Sequence, residues 1–204
     1  MKQSFEYFSL HYLDMWLKHD RLYHDSINNG TREEKLNAIK KALAYYKVAR
    51  TLPKEHDETT GCDRYGPILK IIDKVVASDF STNPVKSILK VREKISKAYG
   101  GRNVLSVTSK LLWLKIRDPI IIYDSQARKA LDTPGGNFQL FYDEWQNKYE
   151  EHSHAIDNAC SKLSKVAKYA YDQTTATPIY VKNISAQPWF KERVFDTYLW
   201  HKGL

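Results

Sequence analysis

Asp124 is the residue whose surroundings best suit chemistry. It follows the apolar run Ile120-Ile-Ile-Tyr123 and precedes Ser125-Gln-Ala-Arg-Lys-Ala-Leu131, which reads as a short helix. A single carboxylate at a helix start, behind a poorly hydrated run, can stabilise positive charge developing on a reacting carbon or orient an attacking water. The same position suits an ordinary N-cap. Arg128 and Lys129 follow as nearby cations. Upstream, Lys110 shares a helix face with Ser106, one turn before it. An amine there could grip a phosphate or act as a nucleophile toward a sugar carbon; the alternative is a solvated surface lysine. Arg102, Asn103, Ser106 and Ser109 flank the start of that helix, where backbone N–H groups and side-chain donors make either a phosphate cradle or a polar turn.

Other chemistry-bearing groups are weaker. Glu150-Glu-His152-Ser-His154 contains metal-capable residues, but histidines two apart lie on opposite faces of a helix, so no metal is expected there. Arg64-Tyr65 could bind phosphate or fold back over the surface. The chain has no Gly-rich phosphate loop, nucleophile elbow or CxxC pair, and no cofactor is expected.

The elements that must position these residues read as helices. Residues 4–26 carry Phe5, Phe8, Tyr12, Leu13, Trp16 and Tyr23 close to helical spacing, and Asn28-Asn-Gly30 stops them. Thr31-Arg-Glu-Glu34 fits a capping box, followed by Leu36, Ile39, Leu43 and Tyr46 on one stripe to about Ala49. A polar loop spans 52–66. Helices opening on Pro67 and Pro84 follow, the second behind an Asn83 cap and closed by Gly100-Gly101. Residues 104–116 form the helix before the Asp118-Pro119 break. Ile120–Ile122 reads as a buried extended connector with no strand nearby to pair with. Asp132-Thr-Pro-Gly-Gly136 is a turn. Phe138 to about Tyr171 reads as helix, interrupted near His152–His154. Residues 174–185 read as loop with a possible stray strand at 179–181, and Pro188 to His201 as a last helix. The expectation is an all-α fold of eight or so helices over residues 1–204, with one possible subdomain seam at 52–66.

With 204 residues and 42% hydrophobic content, the chain can bury a substantial core. No apolar run approaches the ~20 residues of a membrane span. The start Met1-Lys-Gln-Ser-Phe lacks a signal peptide's apolar stretch, and the isolated Cys62 and Cys160 fit a reducing compartment, so a cytoplasmic location is expected. Lys and Arg number 32 against 24 Asp and Glu, a net charge of +8, which favours a polyanionic partner, nucleic acid first.

The stretch 99–131 resembles the helix-hairpin-helix DNA glycosylases, their 8-oxoguanine glycosylase branch above all. Leu105-Ser-Val-Thr-Ser-Lys-Leu-Leu matches the second hairpin helix, and Ile121-Ile-Tyr-Asp-Ser matches the apolar connector that delivers the catalytic aspartate. The resemblance implies a two-lobed helical fold and Asp124 as that aspartate, with Lys129 near a basic residue common in the following helix. Ser106, eighteen residues earlier, stands where the branch has its Schiff-base lysine. The hairpin glycines are displaced, Gly100-Gly101 preceding Arg102-Asn103. The implied activity is a monofunctional DNA glycosylase acting on double-stranded DNA as a monomer, in base-excision repair or in defence against phage with modified DNA. The alternative is a non-catalytic DNA-binding module of the same fold. A glycosylase must also hold a flipped base against flat surfaces. Trp113, Trp189, Phe190 and Trp200 are the candidates, Trp189 foremost, though each suits core packing better, since large aromatics mostly serve packing.

Overall fold

A computed structural model describes residues 4–53 and 64–204; Cys62, the first three residues and the centre of the 52–66 loop lie outside the described residues. Among the described residues the chain is all-helical, with ten α-helices and no strand. It divides into two compact units. One is Asp20–Ile122, inserted in sequence between the two parts of the other, Met1–His19 and Tyr123–Leu204. The crossings therefore fall at 19/20 and 122/123, and the 52–66 loop belongs to the inserted unit.

The first crossing lies within what reads in sequence as one helix. Helix α1 (Phe5–Met15) passes through a π-helical turn, Trp16–Asp20, into α2 (Arg21–Asn29). Within the inserted unit, α3 (Arg32–Tyr45) starts on the expected capping box. Glu34 N–H donates to Thr31 Oγ1 at 3.3 Å, and Thr31 N–H donates to Glu34 Oε2 at 2.7 Å. Helix α4 spans Gly66–Ile72, with Pro67 in its first turn as expected, and a 3₁₀ turn, Ala77–Phe80, follows. Helix α5 (Pro84–Ala98) is capped by Asn83, whose Oδ1 accepts from Lys86 N–H at 2.9 Å.

The turn after α5 depends on glycine: Gly100 and Gly101 adopt φ of 70° and 80°, a region that costs other residues about 1–2 kcal/mol. Gly101 N–H returns to Ser96 O at 2.9 Å, and Ser96 Oγ donates to Arg102 O at 2.7 Å. Helix α6 (Leu105–Ile116) then packs on α5 and α2, and nearly all of it from Leu105 to Leu114 is buried. Its many large apolar residues draw it to a central position, and Thr108, Ser109 and Lys110 are buried along with them. Past it come the cis Asp118–Pro119 bond and the buried, extended Ile120–Ile122.

In the flanking unit, α7 (Ser125–Ala130) leads through the 132–136 turn to α8 (Phe138–Lys162). Helix α8 runs unbroken through His152–His154 and changes to 3₁₀ geometry only at Leu163–Tyr169, which corrects the expected interruption. The stray strand at 179–181 is also corrected, because those residues lie in α9 (Pro178–Ser185). Ile179-Tyr180-Val181 has strand-like composition, but Thr177 Oγ1 accepts from Tyr180 N–H at 3.2 Å and Pro178 occupies the first helical position. Those start signals decide the local structure.

Helix α10 (Pro188–Lys202) closes the chain and packs with α1 and α8 around Phe8, Tyr12, Phe141, Trp145, Phe190 and Phe195. This core contains a polar network. Trp145 Nε1 donates to Asp196 Oδ1 at 2.8 Å, Arg193 Nη1 donates to Asp196 Oδ2 at 3.1 Å, and the Arg193 guanidinium lies 5.2 Å from the Tyr12 ring.

Candidate functional site

Lys110 shows how local structure sets what a side chain can do. Because α6 is buried nearly all round, position 110 is only 3% exposed, and the expectation of a solvated lysine fails. A buried ammonium requires polar partners. Lys110 Nζ donates to Ser106 Oγ at 2.9 Å and lies 5.8 Å from the Tyr46 ring. Tyr46 O–H donates at 2.7 Å to Asp20 Oδ1, and Asp20 is fully buried. A side chain so enclosed reaches a large ligand only by displacing its neighbours. Asp20 and Tyr46 escape a functional reading of the sequence. The available signal is that Asp20 falls on the apolar stripe of Trp16 and Leu17, where an acid must find a partner.

At the start of α6, Arg102 and Asn103 are exposed and Ser106 is half-buried. Asn103 Oδ1 accepts from Leu105 N–H at 3.4 Å. Ser109 is fully buried, its Oγ 3.4 Å from Ser106 O, so the expected phosphate contact has no surface and is corrected. At the other end of α6, His24 Nδ1 bonds Leu114 O at 2.7 Å. A carbonyl only accepts, so Nδ1 carries the proton. The Arg117 guanidinium donates to His24 Nε2, and Asn28 Nδ2 donates to Lys115 O at 3.1 Å. Burial, and next the Arg117 charge, hold His24 below the ordinary histidine range.

Asp124 stands one residue after the start of the flanking unit's second part. Its backbone is extended (φ −133°, ψ 145°), and its Oδ1 accepts from Gln126 N–H at 2.9 Å, so it caps α7. The residue is half-buried. Helix α7 packs on α10. A Cβ built on Gly203 would stand 2.0 Å from the carbonyl oxygen of Gln126, the residue whose N–H holds Asp124. The first turn of α7 is thus fixed from both sides. Arg128 is partly committed within the fold, its Nη1 donating to Thr133 O at 2.5 Å, whereas Lys129 is exposed.

The tryptophans separate by burial. Trp113 lies buried in the inserted unit. Trp189 is also buried, its ring 4.6 Å from that of Trp16 and 5.8 Å from that of Phe190. Both serve packing, which corrects their assignment to a base pocket. Trp200, 40% exposed, remains available and meets His201 edge-on at 5.2 Å. His152, from the doubtful metal cluster, packs among the rings of Phe5, Phe195 and Tyr198. Among the described residues no group of three or more His, Cys, Asp or Glu could hold a metal ion, and no helix is long and apolar enough to cross a membrane. Cys160 is buried, which pushes its thiol up to about 12. Compared with known proteins, the chain matches no protein-family model, no curated protein and no solved structure.

Proposed function

We propose that this chain is a monofunctional DNA glycosylase of the helix-hairpin-helix type, working as a cytoplasmic monomer on double-stranded DNA in base-excision repair or anti-phage defence. The observation that carries the reading is the order of three features: the α5–α6 hairpin with Arg102 and Asn103 exposed at its turn, the buried connector Ile120–Ile122, and Asp124 at the cap of α7. In this reading Asp124 stabilises the cationic sugar as the glycosidic bond breaks, and orients the water that adds to the sugar carbon. The leaving base takes the bonding electron pair, and the water's proton leaves through the carboxylate. The enclosure of Lys110 supports the water-using form over a lyase.

The cap hydrogen bond to Gln126 favours a second reading, in which Asp124 only holds α7 and the protein binds DNA without cutting it. Asparagine caps helices about as well as aspartate. Asp124→Asn therefore keeps the fold and the cap while removing the charge. On duplexes carrying a panel of modified bases, the glycosylase reading expects abasic sites from wild type, none from Asp124→Asn, and equal binding by both. Borohydride should trap no covalent adduct. A wild-type chain that binds DNA and yields no abasic site on any of them would establish the second reading.

A further inference from the structure

The exposed face of α5 has a charge pattern that the packing of the helix does not explain. Val85, Ile88, Val91 and Ile95 are buried, and α5 packs with α4 and α6. On the solvent side Lys86, Lys90, Lys94 and Lys97 are all exposed. At 3.6 residues per turn these four lysines and Glu93 fall within an arc of roughly 100°, opposite the buried stripe. Glu93 is tied to Lys97 at 2.9 Å. Lys86, Lys90 and Lys94 have no acidic partner among the described residues. The row ends at the exposed turn of Gly100, Gly101, Arg102 and Asn103. Like charges four apart on a helix repel, so the row costs stability that an ordinary solvated face avoids by mixing signs.

We infer that the Lys86–Lys90–Lys94 row, continued by Arg102, is a docking surface for the phosphate backbone of DNA. This deepens the proposed function and rests on its choice of DNA as partner, though not on its chemistry. Successive lysines advance about 6 Å along the axis, so the row follows an extended line of charge rather than enclosing a single anion. A nucleic-acid backbone presents such a line. An anionic membrane surface fits less well, because membrane-bound helices insert large apolar residues. The large apolar side chains that are exposed in this protein lie elsewhere than on α5. Phosphate contacts of this kind position a duplex without reading its sequence. The row therefore supplies sequence-independent grip beside the hairpin turn.

The test compares wild type, a Lys86→Gln/Lys90→Gln/Lys94→Gln triple variant, and a control with the same charge loss, Lys165→Gln/Lys168→Gln/Lys182→Gln, placed on exposed positions of the flanking unit. Binding to a short labelled duplex is measured by fluorescence anisotropy over a range of salt, and binding to phosphatidylserine vesicles by co-sedimentation. Glutamine is a good helix former and all six positions are exposed, so circular dichroism should be unchanged. The proposal expects the α5 triple variant to bind DNA about tenfold more weakly or worse, with a salt slope reduced by about 2 to 3, and the control to stay near wild type. It is overturned if wild type does not bind duplex, if the control loses as much as the α5 variant, or if the α5 variant loses vesicle binding alone. Abasic-site yield is scored separately. DNA binding through α5 with no product would retain this surface and remove only the glycosylase chemistry.

Discussion

Each of three residues is given its role by its immediate surroundings. Asp124 is a cap first, and its truncation to alanine should cost about 1 kcal/mol, read as a lower midpoint in urea unfolding, while Asp124→Asn should unfold with wild type. Any activity lost in Asp124→Asn is then a loss of charge and not of structure. Asp196 is the opposite case, a buried acid that serves stability. It receives Trp145 and Arg193 in the core of the flanking unit, so Asp196→Ala leaves Arg193 without this carboxylate. A loss of about 3–5 kcal/mol is expected from equilibrium denaturation, as for other broken buried pairs. A loss below 1 kcal/mol would mean that water or another group replaces the acid. Lys110 marks the limit of sequence reading at this scale: its helix and its spacing from Ser106 are legible, but its burial follows from α2, α4 and α5 packing on α6, which no local pattern encodes.

Among elements, the legible parts are those with a local cause. The capping box at Thr31, the Asn83 cap, the glycine turn after α5 and the break at Asp118-Pro119 all stand where their residues put them. What the sequence hides has non-local causes or mimics. Helix α9 imitates a strand through its β-branched and aromatic residues, and the π turn at Trp16–Asp20 interrupts an apolar pattern that reads as continuous. Gly101→Ala tests the hairpin turn. Its φ of 80° should cost alanine about 1–2 kcal/mol, and the weakened turn should also lower DNA affinity if Arg102 docks there. Native-state hydrogen exchange would locate the loss: faster exchange confined to residues near 96–106 is the expected pattern, and a uniform change across the chain is not.

For the whole molecule, titration provides a measurable consequence. His11, His24 and His201 are all held below the ordinary histidine value, chiefly by burial, with His201 adding to the effect on His11 and Arg117 to that on His24. The folded state therefore binds these protons less readily than the unfolded chain does. The unfolded state takes them up first as pH falls below about 6.5, so stability declines on acidification from there and is fully present above it. The lowered carboxyls of Glu6, Glu34, Glu93 and Glu151 act in the same direction at more acidic pH. Thermal midpoints should be level between about pH 7 and 8 and drop progressively below about pH 6.5, and His24→Gln should flatten the first part of that drop. A midpoint that rises on acidification would contradict the assignment.

The insertion of one unit within the other also sets a timetable for the growing chain. The contacts of residues 20–122 within their own unit are complete once that segment has left the ribosome, whereas α1 packs on α8 and α10, both more than a hundred residues downstream. At 5–20 residues per second, synthesis from the end of α1 to the end of α10 takes roughly 10 to 40 s. During that interval Phe8, Tyr12, Leu13 and Trp16, all buried in the finished protein, have no completed core to enter. Helix α1 is made well before the helices that house it, and its apolar face must wait for them.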